Sequence, residues 1–131
     1  MAGLVPYVHF AGVARAALTF YSEVFGGDLT LHTFSDFGRT DGPRQAIAHG
    51  ILSGPVDLFG ADVAETERAE EVRGVLFSLL GTADPATMSA WFAALSVSGT
   101  VVDPLREREW GDHEGQVTDR FGLTWLIGFH R

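Results

Sequence analysis

The feature that most constrains this chain is an internal match. Displacing the first half by 71 residues lays Phe20-Tyr21 on Trp91-Phe92, Val24 on Leu95, Asp28 on Gly99 and Gln45 on Gln116. The inferred order of elements, βαβββ, is the same in both halves. A period this long exceeds the range of solenoid repeats, so it predicts a duplicated module rather than a stacked array. Each module would pack its helix on one face of a sheet and leave the other face to curve around a cavity.

The elements follow from periodicity. Val5 to Phe10 alternates as a strand, with Val8 and Phe10 on one face and Tyr7 and His9 on the other. From Val13 to Phe25, Ala17, Phe20, Tyr21 and Val24 recur at helical spacing, and Gly26-Gly27 supplies a stop. Leu29 to Phe34 reads as a second strand, and Asp36 to Arg44 as a mobile connection rich in Gly, Asp, Pro and Arg. Gln45 to Leu52 and Val56 to Phe59 form a hairpin around Ser53-Gly54-Pro55. Residues 61–73, carrying Asp62, Glu65, Glu67, Glu70 and Glu71, are expected to be an exposed linker between module one, about 4–60, and module two, about 74–131. In the second module Val75 to Leu80 is a strand, and Asp84-Pro85 gives an N-cap followed by proline at the first helical position. Met88, Trp91, Phe92 and Leu95 form the apolar stripe of that helix, which Gly99 ends, and Thr100 to Leu105, Gln116 to Thr118 and Thr124 to Phe129 complete the strands.

Length and charge narrow the function classes. At 131 residues the chain is expected to be one domain able to bury a sizeable core. With no cysteine it has neither disulfide framework, thiolate nucleophile nor Cys-ligated metal. The opening Met1-Ala2-Gly3-Leu4-Val5-Pro6 lacks the basic and long apolar regions of a signal peptide, and no apolar run approaches the ~20 residues of a membrane span, so a cytoplasmic location without membrane association is expected. A net charge of -8, with nine dispersed basic residues, argues against nucleic acid as partner. No Ser-His-Asp order, phosphate-cradling glycine loop or paired carboxylates on one helix face emerges.

The richest polar stretch is Trp110-Gly111-Asp112-His113-Glu114-Gly115-Gln116, running on to Asp119-Arg120-Phe121-Gly122. Gly111 and Gly115 suit a tightly folded loop that aims Trp110, Asp112, His113 and Gln116 in chosen directions. The plainer alternative is a solvated hairpin whose Trp covers the core edge, with Asp112 holding the loop by accepting backbone N–H bonds.

Pro6-Tyr7-Val8-His9-Phe10, Phe20-Tyr21, Val24-Phe25-Gly26-Gly27, Trp110-Gly111-Asp112, Gly115-Gln116-Val117 and Asp119-Arg120-Phe121-Gly122 with Trp125 together resemble the vicinal oxygen chelate superfamily, which includes glyoxalase I, bleomycin- and fosfomycin-resistance proteins and extradiol dioxygenases, and within it the PhnB-like branch. The resemblance implies an α+β fold of two βαβββ modules, cupped mixed sheets with helices on the outer face, and a homodimer. Arg120 stands where the family usually has Pro in an Asp-Pro-Phe-Gly turn; the turn should survive, since proline there only pre-sets φ. Some of the branch carry a methyltransferase label, but no Gly-rich strand-to-helix turn with a following acidic ribose ligand is visible here.

Metal-dependent members place His, Gln or Glu on the first and last strands of each module. Here the last strand offers Leu126, the first Val5 or Tyr7, and the strand opening module two Val75 and Phe77. A residual site gathering His9, His49 and either His113 or a nearby carboxylate is the alternative; the expectation is that the chain holds no metal or other cofactor and binds a small molecule. The candidate ligand-binding residues are Tyr7, His9, His49, Trp110, Asp112, His113 and Gln116. His9 either points into the cavity or is satisfied by a carbonyl; His49, between Ala48 and Gly50, is a candidate acid or base; Tyr7 either donates to a ligand or anchors its strand; Trp110 would stack on a flat ligand. The competing reading is a metal-dependent lyase, isomerase or dioxygenase with His9 or His49 as ligand or base.

Overall fold

The computed structural model describes residues 3–130, so the Met1-Ala2 part of the amino-terminal reading lies outside the described residues. Two compact units divide between Glu70 and Glu71.

The first unit contains β1 (Tyr7–Phe10), α1 (Ala14–Phe25), β2 (Asp28–Thr33), a 3-10 turn (Ser35–Phe37), β3 (Ile47–Ser53) and β4 (Leu58–Asp62). Its sheet runs β1-β4-β3-β2, with β1 parallel to β4 and the other pairs antiparallel. The apolar stripe of α1 is buried at Ala14, Ala17, Leu18, Tyr21 and Phe25, against the sheet face that carries Val8, Phe10, Leu52 and Leu58. Burial of each large side chain of this kind contributes roughly 1.5–3 kcal/mol. Gly50 and Gly60 let the helix approach closely, because a Cβ on Gly50 would stand 2.3 Å from Leu18 and one on Gly60 would meet Phe10 and Leu18.

The second unit repeats this plan with β5 (Phe77–Leu80), α2 (Pro85–Ser96), β6 (Thr100–Glu107), β7 (Asp112–Thr118) and β8 (Thr124–His130), in sheet order β5-β8-β7-β6. Both helices have 12 residues and begin 71 positions apart, at Ala14 and Pro85. Asp84 caps α2 by accepting the Thr87 backbone N–H at 2.8 Å, with Pro85 at the first helical position as its sequence predicts. Met88, Trp91, Phe92 and Leu95 are buried, as are Val117, Trp125, Ile127 and Phe129 on the sheet face that meets the helix. This is the α+β architecture of paired βαβββ modules expected from the repeat and the resemblance.

Three local readings need correction. First, residues 61–62 do not open an exposed linker: Ala61 and Asp62 complete β4, and Ala61, Asp62 and Ala64 are buried. The Asp62 carboxylate accepts backbone N–H bonds from Ala14 at the start of α1 and from Ile47, both at 2.9 Å, which is why an acid belongs there. Second, the strand expected from Gln116 begins four residues earlier, so that Asp112, His113 and Glu114 lie in β7 rather than in a loop; the turn is tighter, closed by Gly111 N–H to the Arg108 carbonyl at 2.9 Å. Gly111 has the positive φ expected of it, at 96°, whereas Gly115 is a strand residue whose missing Cβ makes room for Leu105 and the Phe92 ring. Third, the 36–44 connection opens with the 3-10 turn and is pinned by Arg39 over the Phe34 ring at 3.9 Å.

The turn with Arg120 in place of proline forms. Asp119 accepts from the backbone of Phe121 and Leu123 and from the Trp125 indole at 2.8 Å, and Gly122 takes φ of 91°.

Candidate functional site

In the first unit, strand alternation sends Tyr7 and His9 to the side of the sheet away from α1, since Val8 and Phe10 are buried beneath it. Phe59 lies in register with Tyr7 on β4, and His49 on β3 alternates with the buried Ala48 and Gly50. Tyr7 leans across β4 and places its hydroxyl 3.1 Å from His49 Nδ1. The two rings lie 5.5 Å apart and nearly parallel, with Phe59 at 6.0 Å from Tyr7 and 5.4 Å from His49, and His9 at 5.3 Å from Tyr7. Sequence reasoning singled out three of these four rings. It missed Phe59, whose partner is visible only once the parallel register of β1 and β4 is known.

It also missed His32, which sits opposite His49 on β2 and stacks on Phe37 at 5.5 Å. Three imidazoles therefore share this face. Partial burial raises the Tyr7 phenol above its ordinary pKa, while the Arg39 guanidinium pulls it the other way. Arg39 is itself held by a bidentate pair with Asp41, at 2.9 and 2.7 Å, which keeps it firmly cationic. The outcome is a phenol that keeps its proton at neutral pH beside the His49 imidazole.

The second unit carries the remaining candidates, and β7 divides them. Gly115 and Val117 face α2, so Asp112, Glu114 and Gln116 project to the opposite side. His113 is in register with Phe129 and stacks on it at 5.1 Å, on the same side as the helix, with its Nδ1 buried and unpaired among the described residues. Trp110 stands at the hairpin turn and is 65% exposed, so it does not cover the core edge.

A shallow cavity of about 270 Å³ opens beside Asp112 and Glu114, lined also by Leu80, Gly81, Gly128, Phe129 and His130. Gly128 keeps it open, because a Cβ there would stand 2.8 Å from Leu80 and 3.1 Å from Glu114. Asp112 pairs with His130 Nδ1 at 2.6 Å. Sequence analysis did not single out His130 or Glu114, though their alternation with Phe129 and Gly115 along two adjacent strands was a usable signal. Gln116 is half-buried and in register with Leu126.

A metal ion does not fit the donors at the positions the resemblance marks for it. Leu126, Val5, Val75 and Phe77 are hydrocarbon side chains, and Tyr7 is a phenol that holds its proton. Among the described residues no group of three His, Asp or Glu side chains converges to hold a metal ion. His9 and His49 share a face of the first unit, whereas His113 lies on the helix side of the second unit's sheet. Among the described residues no helix is long and apolar enough to cross a membrane.

Residues 3–127 match the model of the Glyoxalase/Bleomycin resistance protein/Dioxygenase superfamily. The chain is 26% identical to the YjdN protein of Escherichia coli (strain K12), over 95% of this chain and 92% of that one. The crystal structure of the protein PA1353 from Pseudomonas aeruginosa is similar with a TM-score of 0.83 and 30% identity, covering 99% of this chain and 98% of that chain. The PhnB protein from Bacillus cereus shares the fold at a TM-score of 0.77 and 14% identity, covering 98% and 99%.

Proposed function

The chain belongs to the glyoxalase/bleomycin resistance protein/dioxygenase superfamily, and on that premise we propose that it is a small-molecule binding protein of the PhnB-like type that works without a metal ion. The observation that carries this reading is the Tyr7–His49 hydrogen bond at 3.1 Å, framed by the rings of His9 and Phe59 on the open face of the first sheet. Aromatic and imidazole rings present flat apolar surfaces, and the phenol and imidazole edges supply directed hydrogen bonds. A flat or aromatic ligand meets both demands. In the second unit, Trp110 offers an exposed indole, and Asp112 and Gln116 polar groups, for a ligand to engage.

The test is a titration of isotopically labelled protein with a panel of flat aromatic compounds. Resonances of Tyr7, His9, His49 and Phe59 should shift together. A panel that leaves them unmoved, or moves only residues elsewhere, overturns the reading. Metal analysis of protein purified without chelator addresses the other half: stoichiometric zinc, nickel, manganese or iron would favour the metal-dependent lyase, isomerase or dioxygenase reading instead.

A further inference from the structure

We propose that the ligand of this face is a flat compound of three or more fused rings, laid across all four strands of the first sheet, and that Phe37 is the residue that selects for its length. The proposal rests on the reading that a small molecule occupies this face, and it names the class of that molecule.

Sheet order and register set out the seat. Gly50 and Leu31 belong to the side of α1, because a Cβ on Gly50 would meet both Leu18 and Leu31. His49 and His32, in register on β3 and β2, therefore share the opposite side, which also carries Tyr7, His9 and Phe59. Each strand of the sheet contributes at least one ring to it. Tyr7 reaches His49 at a ring separation of 5.5 Å, and Phe37 lies on His32 at 5.5 Å with the two planes 21° apart. Neighbouring strands stand about 4.8 Å apart, so the row from β1 to β2 is roughly 14 Å long.

Phe37 is the informative member of this row. Its ring is exposed, yet the turn that carries it is firmly held: Phe37 N–H donates to the Phe34 carbonyl at 3.2 Å and Gly38 N–H to the Ser35 carbonyl at 3.1 Å. Phe34 itself is fully buried, with the Arg39 guanidinium over its ring. The Phe37 ring is thus presented beside His32 instead of being folded into the core, and core packing gives no reason for it. A large apolar ring fixed at the surface is the kind of anchor that binding sites use. Tyr7, at the other end of the row, is exposed as well, and Phe59 between them is half-buried. A compound of one or two rings seated on Tyr7 and Phe59 stops short of β2. Three fused rings in a row reach His32 and Phe37, where the added stacking increases affinity by up to about tenfold.

Titration of isotopically labelled protein with quinoline, which has two fused rings, and with acridine, which has three, tests the proposal at a pH where both are uncharged. Quinoline should move the resonances of Tyr7, His49 and Phe59; acridine should move those of His32 and Phe37 as well. Phe37→Ala should weaken acridine about tenfold and leave quinoline unchanged, with thermal unfolding as in the parent protein because the ring is exposed. A larger apolar compound binds more tightly to any surface, so the decisive result is a loss confined to acridine. Equal weakening of the two compounds, or no weakening of either, would overturn the proposal while leaving the small-molecule reading intact, and so would acridine that moves Tyr7 and Phe59 but neither His32 nor Phe37. Movement of these resonances on dilution of the protein alone would show that a second copy lies on this face and would overturn it too. If no aromatic compound moves Tyr7, His9, His49 and Phe59, the broader reading falls with it.

Discussion

Single residues do separable work in this chain. Asp119 is a structural acid: one oxygen accepts from the Phe121 and Leu123 backbone and the other from the Trp125 indole, all within a buried turn. Removing the carboxylate strands these donors, each at a cost of about 1–3 kcal/mol. Asp119→Ala should therefore lower stability by ~3 kcal/mol or more in denaturant titration, and a loss below ~1 kcal/mol would mean the turn is held by something else. Trp110 is the opposite case. With 65% of its surface exposed it contributes little to packing, so Trp110→Ala should leave the unfolding midpoint unchanged. If the indole stacks on a bound aromatic compound, the same variant should weaken that compound's affinity by ~1–3 kcal/mol, read by titration. Unaltered affinity would remove Trp110 from the ligand site.

Elements show where sequence reasoning succeeds and where it stops. The helices were legible because their signals are local: Asp84-Pro85 at the start of α2 and the recurrent bulky residues of both stripes need no partner to be read. The ends of strands were not. Asp62 looked like the first of a run of solvated acids, and only the arrival of the α1 amino terminus and Ile47 N–H makes it a buried acceptor. Gly115 likewise read as turn chemistry, whereas its need for a missing Cβ comes from Leu105 and Phe92, ten residues and more away. The candidate site divides in the same way. Tyr7 and His9 follow from period-two alternation, but Phe59 and His32 join them through strand pairings that no local pattern reveals. The N-cap of α2 makes a prediction at this scale. Its hydrogen bond to the Thr87 backbone holds the Asp84 carboxyl below its ordinary pKa, so the contribution is present above the ordinary carboxylate range near 4 and is lost as pH falls through the depressed value. Asp84→Ala should lower the melting temperature at pH 7 and flatten the acid limb of the stability profile. Asp84→Asn, which still accepts the hydrogen bond, should hold the melting temperature at pH 7 yet flatten the same limb.

For the whole molecule, the superfamily resemblance implies pairing of two copies, and sedimentation equilibrium should return about twice the 14.1 kDa chain mass; a single-chain mass at micromolar concentration would contradict it. The strand order carries a further consequence. In each sheet the last strand of the module is an inner one, with β4 between β1 and β3 and β8 between β5 and β7. A ribosome therefore releases β1 long before its sheet neighbour β4 exists: Tyr7 waits for Phe59, 52 residues later. Closing so long a loop carries an entropic cost that local hairpins avoid, which defers β1 to the end of the first unit's assembly. On this order the Tyr7–His49 contact is expected to form after the rate-limiting barrier. Stopped-flow measurements on Tyr7→Ala should show faster unfolding with a nearly unchanged refolding rate, the signature of a surface assembled late and opened early.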